Sequence, residues 1–339
     1  MIKKRNLDPS LVQWIMMQTG LGPGIGELFW VAPATSATSQ FRTQLQRWGV
    51  EQNYKIYDDP IDAEAAMESY RHDVMLILPG VYNTKGAFTF SKHNAAILGL
   101  GHPIKNWYGS GGAVTIRNTA ETDGAYGMLN TGNYNKFINL HFDNLGENAA
   151  CVCSVKDQGR DIHYHSCLFG GHVRSEQAQA AAAACLWIDT SETAAGHGLL
   201  LKDCIVGYSG STTRTNSNTL LLFGATGAVG SGSNVRIEDT VFNSRSKIAG
   251  CSAIKFAANY TVDRMFLIKN SMFYNFYDEN DITSTLTEVI NDDCATTHKI
   301  VVQNSHQTGW ASWEGGTRDT VYLTEADASG GSGIATVET

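Results

Sequence analysis

The stretch Ile162-His163-Tyr164-His165-Ser166-Cys167-Leu168-Phe169 decides the fold, because its pattern returns four more times along the chain. In each copy, alternating apolar and polar residues lead to two small residues and then to a bulky one. The later copies span residues 199–206, 235–242, 266–273 and, in a weaker form, 300–306. Aligning the copies, at steps of 37, 36, 31 and 34 residues, gives one apolar column of Tyr164, Leu201, Ile237, Ile268 and Val302.

The neighbouring columns are equally regular. A column of mixed charge, which we expect to face outward, contains His165, Lys202, Glu238, Lys269 and Gln303. The next column is short and polar, and contains Ser166, Asp203, Asp239, Asn270 and Asn304. Short polar side chains can bond the local backbone and tolerate unusual dihedral angles, so we interpret this column as a polar ladder at a turn.

A second strand phrase recurs between these copies with the same period. Its apolar residues are Val152, Leu186, Leu221, Ile254 and Val289. A repeat of this length indicates stacked supersecondary units, and the alternation within each unit is of the β type. Because a single coil cannot bury its own apolar face, neighbouring coils stack about 4.8 Å apart. The sequence therefore predicts an all-β fold, a parallel β-solenoid.

Composition excludes several classes of function. The formal net charge of -8 leaves no basic stripe, so we expect no nucleic-acid binding. Residues 1–5 include three basic side chains, but no unbroken apolar segment follows them, so we expect no secretory signal. The stretch 11–31 is too polar to cross a bilayer, so we expect no transmembrane segment there. The seven cysteines include no CxxC pair, which favours buried thiols in a reducing compartment and folding in a cytoplasm.

We predict three segments. Residues 1–56 form an N-terminal arm, residues 57–315 form the solenoid, and residues 316–339 form a C-terminal tail. A helix at about residues 60–72 caps the first coil, which would otherwise expose unpaired strand edges. Trp310 and Trp313 either close the last coil or stack on a sugar, and closure is the preferred interpretation because a solenoid needs a covered end.

The longer loops at residues 176–184, 209–218 and 274–287 occupy corresponding places in successive coils. We therefore expect them to project from one side, which is the preferred interaction face.

The phrase Asp73-Val74-Met75-Leu76-Ile77-Leu78-Pro79-Gly80-Val81-Tyr82, with the helical segment before it and Ile97-Leu98-Gly99-Leu100-Gly101 after it, resembles the entrance to the right-handed parallel β-helices of the pectate-lyase-like superfamily. This resemblance covers roughly residues 60–310. The phrase Leu28-Phe29-Trp30-Val31-Ala32-Pro33 is similar to β-helical structural proteins of tailed bacteriophages.

The phage resemblance implies a protein without catalytic activity that decorates the capsid, belongs to the virion and often forms a homotrimer. It implies the major capsid protein or other virion proteins as partners and no cofactor. Attachment would use the arm, with Trp14, Phe29 and Trp30 as contact residues. The chain departs from a typical tailspike because no long trimerisation region follows the last coil.

Asp203 and Asp239 are the best acidic pair, because residues that stack on adjacent coils lie about 5 Å apart, the separation of a retaining glycosidase. The competing interpretation is that both belong to the polar ladder. Asp189 and Asp292 are expected to share a column but to be too far apart for catalysis. The constellation of glutamine, aspartates, arginine and tryptophan that pectinesterases use is missing.

Three histidines are weak candidates for a metal site. His163 and His165 alternate with apolar residues and point outward, and we place His141 one coil away beside His165. Such a group could hold zinc or nickel, or it could line a solvated face or an interface.

Two functions remain open from the sequence. The first is a structural β-helix protein of a virus particle. The alternative is a tailspike-like protein that binds or degrades polysaccharide, with Asp203 and Asp239 as its acids.

Overall fold

The computed structural model describes residues 26–33, 42–43, 55–84, 88–101, 113–118, 125–146, 151–171, 183–191, 195–207, 218–224, 230–246, 250–258, 260–275, 288–294, 298–316 and 321–324. In these ranges, short parallel strands follow one another around three long sheets. Among the described residues, no helix is both long enough and apolar enough to cross a bilayer.

Sheet A has eleven strands. They are β1 (Leu28–Val31), β2 (Ile56–Tyr57), β3 (Val74–Ile77), β6 (Ala96–Gly99), β9 (Lys136–Ile138), β12 (His163–His165), β15 (Leu200–Lys202), β19 (Val235–Glu238), β23 (Phe266–Lys269), β26 (Ile300–Gln303) and β29 (Val321–Thr324). Apart from β1 and β2, which exchange places at the edge, the spatial order follows the chain order.

Sheets B and C have eight strands each. Sheet B contains β4 (Gly80–Asn83), β7 (Val114–Asn118), β10 (His141–Asn144), β13 (Leu168–Phe169), β16 (Ile205–Val206), β20 (Val241–Ser244), β24 (Met272–Asn275) and β27 (His306–Thr308). Sheet C contains β5 (Thr89–Phe90), β8 (Tyr126–Asn130), β11 (Cys153–Asp157), β14 (Leu186–Ile188), β17 (Thr219–Phe223), β21 (Ser252–Phe256), β25 (Ile290–Asp292) and β28 (Glu314–Gly316). A small parallel pair joins β18 (Gly230–Gly232) to β22 (Tyr260–Val262).

In the regular coils the chain runs from sheet A to sheet B to sheet C and returns one coil further along, and every strand pairs in parallel with its neighbour. Parallel crossovers of this kind are right-handed in nearly all proteins. The predicted parallel β-helix is therefore confirmed. Each of the three predicted long loops falls in a connection from a strand of sheet B to the next strand of sheet C. Most of the loop residues lie outside the described ranges, so the expected interaction face stays a prediction.

The register of sheet A confirms the first predicted column. Tyr164 pairs with Leu201, and Ile237, Ile268 and Val302 follow in the same row. The second column needs correction at both ends. In sheet C, Leu186 pairs with Val155 rather than with Val152, and Ile254 pairs with Ile290 rather than with Val289.

A turn between sheets A and B repeats with the same backbone geometry in six coils. Its residues have φ between 44° and 54°, the left-handed region, and are Asn139, Ser166, Asp203, Asp239, Asn270 and Asn304. Asparagine and aspartate enter this region more readily than most residues. The polar column is therefore a turn ladder, as predicted, with Asn139 as an additional first member.

The interior is a continuous apolar core in which aromatic rings stack from coil to coil. The rings of Phe137 and Tyr164 are 5.0 Å apart, and those of Phe242 and Phe273 are 4.6 Å apart. Full burial of such a side chain contributes about 1.5–3 kcal/mol. All seven cysteines are buried thiols, in agreement with the sequence.

The N-terminal end is closed by helix α1 (Pro60–Ala66), which begins where predicted but ends six residues earlier. Asp59 caps it, because its Oδ1 accepts hydrogen bonds from the backbone N–H groups of Ile61 and Asp62, each 2.9 Å long. Ala63 on the helix and Met67 just after it pack into the main core.

The solenoid starts inside the segment predicted as an arm. Strand β1 pairs with both β2 and β3, so residues 28–31 are part of sheet A. At the other end, β29 pairs with β26 inside the predicted tail. Trp310 and Trp313 are buried in the last coil, which agrees with closure of the solenoid rather than with stacking on a sugar.

Candidate functional site

The outer face of sheet C carries a row of half-buried side chains, one from each of five successive coils. We call these residues the sheet C row: Lys156, Trp187, Leu222, Lys255 and Asn291. They alternate with the inward row that contains Val155, so they point away from the core. The row combines an aromatic ring, apolar surface and two cations on a rigid backbone.

Asp189, directly after β14, contacts Lys156, the first residue of this row. Its Oδ2 lies 2.8 Å from Lys156 Nζ and accepts a 2.8 Å hydrogen bond from Gln158 Nε2. The backbone N–H of Ser191 donates to Oδ1 at 3.1 Å. Lys156 Nζ also lies 4.4 Å from the centroid of the Trp187 ring, in cation–π contact.

These contacts keep Asp189 ionised. Burial alone would raise the pKa of its carboxyl, but the hydrogen bonds from Lys156, Gln158 and Ser191 outweigh burial, and the pKa lies below its ordinary value. The Trp187 ring is fixed as well, because its Nε1 donates to the carbonyl oxygen of Gly224 at 2.8 Å. The site is therefore preorganised around a carboxylate and an indole.

A second acid–lysine pair lies further along the same face. The register pairs Ile188 with Phe223, Phe256 and Asp292 in turn, so Asp189 belongs to the column that ends at Asp293. The expectation that Asp189 shares a column with Asp292 was wrong by one residue, and Asp292 points into the core. Asp293 Oδ2 lies 3.5 Å from Lys255 Nζ. Three coils separate Asp189 from Asp293, about 14 Å.

Asp203 and Asp239 are exposed members of the turn ladder. Ser166 Oγ donates to Asp203 Oδ2 at 3.0 Å, and Asn270 Nδ2 donates to Asp239 Oδ1 at 3.2 Å. Asn304 Nδ2 then donates to Asn270 Oδ1 at 2.9 Å. Both carboxylates are therefore hydrogen-bonded to neighbouring residues of the ladder, which supports the ladder interpretation of Asp203 and Asp239.

The three candidate histidines do not meet. His163 and His165 lie on the outer face of sheet A, where Ile138 rather than His141 is the neighbour of His165. Burial, helped by nearby Lys136 and Arg236, lowers the pKa of His163.

His141 lies beyond the turn at Asn139, on sheet B, and this turn is why its predicted position was wrong. Its Nε2 lies 3.0 Å from Asp143 Oδ1, and Arg117 Nη2 lies 2.9 Å from Asp143 Oδ2. His141 is therefore part of an ion-paired cluster on a different sheet.

The proposed attachment residues are also placed differently. Phe29 is buried in the main core and Trp30 in a second apolar cluster on the outer side of sheet A, so neither offers a contact surface. The alternation along β1 directs these neighbours to opposite sides of the sheet, and both sides are covered. Trp14 lies outside the described residues.

Two buried polar groups were not anticipated from the sequence. Asp157 lies inside the solenoid, where its carboxyl accepts hydrogen bonds from Asn130, Gly159 and Tyr164. Burial raises the pKa of Asp157 to about 6 despite these three bonds.

The second group comprises Asp292, Cys294 and His298, all buried near the last coils. One ligand atom from each side chain lies within 4.8 Å of the other two, so among the described residues these could hold a metal ion. The spacing Asp-x-Cys-x3-His is the sequence signal that could have identified them.

Comparison with known proteins identifies the fold. No protein-family model and no curated protein matches the chain. The solved structure of Escherichia coli YbhC is 12% identical, with a TM-score of 0.50, and the match covers 84% of this chain and 74% of that one. At this identity the likeness shows a shared fold alone.

Two other matches are more distant in geometry. Pectin methylesterase from Aspergillus niger is 12% identical with a TM-score of 0.48, and the match covers 94% of this chain and 89% of the enzyme. The ORF18 protein of Geobacillus virus E2 is 11% identical with a TM-score of 0.40, and the match covers 78% of this chain and 55% of the virus protein.

Proposed function

We propose that this chain is a structural β-helix protein of a virus particle, bound to the capsid surface through the outer face of sheet B. The observation that carries this proposal is an apolar stripe on that face, with one side chain from each of three successive coils: Ile205, Val241 and Met272. Leu168 continues the stripe but is buried, whereas Met272 is 41% exposed. We call Ile205, Val241 and Met272 the sheet B stripe.

The stripe suits a protein contact for two reasons. Ile205 and Val241 are half-buried and Met272 is exposed, so apolar side chains reach the surface in three adjacent coils. Contiguous apolar surface commonly marks an interaction site. Its backbone is also rigid, because each residue sits in a parallel sheet of eight strands. Little conformational entropy is therefore lost when such a surface binds.

The partner that we propose is the major capsid protein, whose repeating lattice would bind many copies side by side. The chain could also form a homotrimer in which three prisms pack along their lengths, and the sheet B stripe would then be buried between the three copies. The phage resemblance of residues 28–33 supports the viral assignment. A glutamate in the stripe would be buried without a partner in either assembly, at a cost of several kcal/mol.

The experiment compares two methionines of similar exposure. Met272→Glu places a charge on the sheet B stripe, and Met265→Glu places the same charge away from it, where the native side chain is 44% exposed. Particles assembled with each variant are purified, and the copies of the chain per particle are counted. We expect Met272→Glu to be lost from particles and Met265→Glu to be retained. Equal incorporation of the two variants contradicts the proposal.

A second candidate function, polysaccharide binding, rests on a specific observation: the sheet C row around Trp187 and Asp189. An indole face beside a fixed carboxylate and a lysine can stack on a sugar ring and bond its hydroxyl groups. The separation of about 14 Å between Asp189 and Asp293 exceeds the spacings that glycosidases use, so this surface favours binding over hydrolysis. A glycan array probed with the wild type and with Trp187→Ala tests it.

A further inference from the structure

We propose that Asp292, Cys294 and His298 form a zinc site near the C-terminal end of the solenoid. This site is separate from the sheet B stripe and from the sheet C row, and it does not depend on the function proposed above. Asp292 is the last residue of β25, and His298 lies two residues before β26 begins. An ion bound here would tie together the two ends of the connection between these strands.

The donor set is the first argument. A carboxylate, a thiolate and an imidazole are the three side-chain ligands that zinc takes in proteins, and all three belong to buried residues. The other buried thiols with described contacts, Cys167 and Cys204, direct their Sγ atoms to backbone carbonyl oxygens instead. Cys294 differs because a carboxylate and an imidazole both lie within 4.8 Å of its sulfur.

The geometry is the second argument. Two ligands at about 2.0–2.1 Å from a tetrahedral ion are about 3.3 Å apart. Asp292 Oδ2 and His298 Nε2 are separated by 3.2 Å. The Cys294 backbone N–H donates to Asp292 Oδ1 at 3.0 Å, which fixes the carboxylate and leaves Oδ2 directed toward the imidazole. Hydrogen-bonded ligands of this kind are typical of protein metal sites.

The position of Asp292 in its row is the third argument. The three members that directly precede Asp292 in this inward row are Ile188, Phe223 and Phe256, which are apolar and buried. Asp157 and Asn130 are the buried polar members further back in the row. The His298 ring packs at 5.9 Å from the ring of Phe256. A carboxylate in such surroundings is costly unless opposite charge compensates it, and a divalent cation carries more positive charge than a histidine does.

Cobalt and zinc binding test the proposal on the full chain. The chain is stripped with a chelator, titrated with Co²⁺ and monitored for a thiolate-to-cobalt charge-transfer band, and zinc is then counted by mass spectrometry. We expect the band, one zinc per chain and a rise of several degrees in Tm on zinc addition. Cys294→Ser abolishes the band, and the control Cys251→Ser, which also removes a buried thiol, retains it.

Two results would overturn the zinc site. One is a folded wild type that binds Co²⁺ without a charge-transfer band. The other is a band that persists in folded Cys294→Ser. If Cys294→Ser does not fold, His298→Gln replaces it, and a zinc stoichiometry unchanged by this substitution contradicts the site.

Discussion

The hydroxyl group of Tyr164 donates a 2.8 Å hydrogen bond to Oδ2 of Asp157 inside the solenoid. Both side chains are buried, and the Tyr164 ring stacks on Phe137 one coil away. A carboxyl group is thus enclosed in the stacked core, where its state of protonation affects folding.

Stability should fall as the pH rises through the titration of Asp157. Burial raises the pKa of this carboxyl from 3.8 to about 6, so the folded chain holds the proton more tightly than the unfolded chain does. The stability from the protonated form is fully present below pH 3.8 and is lost as the pH rises to about 6. A shift of this size corresponds to about 3 kcal/mol.

Asp157→Asn should remove this part of the pH dependence. We expect the free energy of unfolding of the variant to fall by about 3 kcal/mol less than that of the wild type between pH about 3 and pH about 7. Urea unfolding at a series of pH values measures the difference, with Asp263→Asn, an exposed aspartate, as the control. Parallel curves for wild type and Asp157→Asn would contradict the raised pKa.

Asn270→Ala should weaken the turn ladder. The variant loses the hydrogen bonds to Asp239 and from Asn304, and alanine must adopt a φ of 51°. A left-handed conformation costs an ordinary L-residue about 1–2 kcal/mol, to which the two lost bonds add. Asn270→Gly removes the same bonds without the conformational cost, so chemical denaturation should rank it between alanine and the wild type. An alanine variant as stable as the wild type would contradict the role of the ladder.

The double variant Asp203→Asn, Asp239→Asn should fold as well as the wild type. Asparagine enters the left-handed region at least as readily as aspartate, and a neutral ladder carries no repulsion between adjacent carboxylates. Its Tm is therefore expected to be unchanged or higher. If the wild type degrades a glycan and the double variant does not, the acids are catalytic and the enzymatic alternative is correct.

Trp187→Ala should abolish any glycan binding while leaving the fold intact. The indole supplies the only aromatic ring of the sheet C row, and stacking on a sugar depends on its face. The matched control is Lys202→Ala, an exposed side chain on sheet A. Binding that is equal in both variants would move the glycan site away from sheet C.

Asp59→Ala should lower stability by about 1 kcal/mol, the usual cost of losing an N-cap. Asp59→Ser retains an oxygen that can accept the hydrogen bonds of Ile61 and Asp62, and we expect it to restore most of the loss. Thermal unfolding of the two variants makes the comparison. Equal destabilisation by alanine and serine would show that Asp59 acts by its charge rather than as a cap.

The fold was predictable because two independent sequence signals mark the strands of sheet A. Strict alternation around Tyr164 defines the buried side, and the polar turn residue that follows fixes where each copy ends, so every member of that column was assigned correctly. The phrase around Val155 lacks this restraint. Its run of small residues, 149–155, fits several registers equally well, and the predicted column began three residues too early.

The candidate sites were harder to predict because they depend on which sheet each residue joins. His141 follows the turn at Asn139 by two residues, which places it on sheet B and away from His165. The cluster of Asp292, Cys294 and His298 forms only because Asp292 points inward. The predicted register of sheet C was wrong by one residue there, which would direct Asp292 outward, so the cluster was not found. Phe29 and Trp30 were assigned to a contact surface because the local sequence does not reveal that β1 pairs with β3. These strands are more than 40 residues apart in the chain.

Cryo-electron microscopy of virus particles assembled in cells that produce this chain tests the central claim most directly. We predict an elongated β-prism in a fixed number of copies per capsid subunit, with Val241 and Met272 buried at the contact with the capsid lattice. A chain absent from particles and found only as free protein, or a bound prism whose sheet B stripe faces solvent, would contradict the proposal.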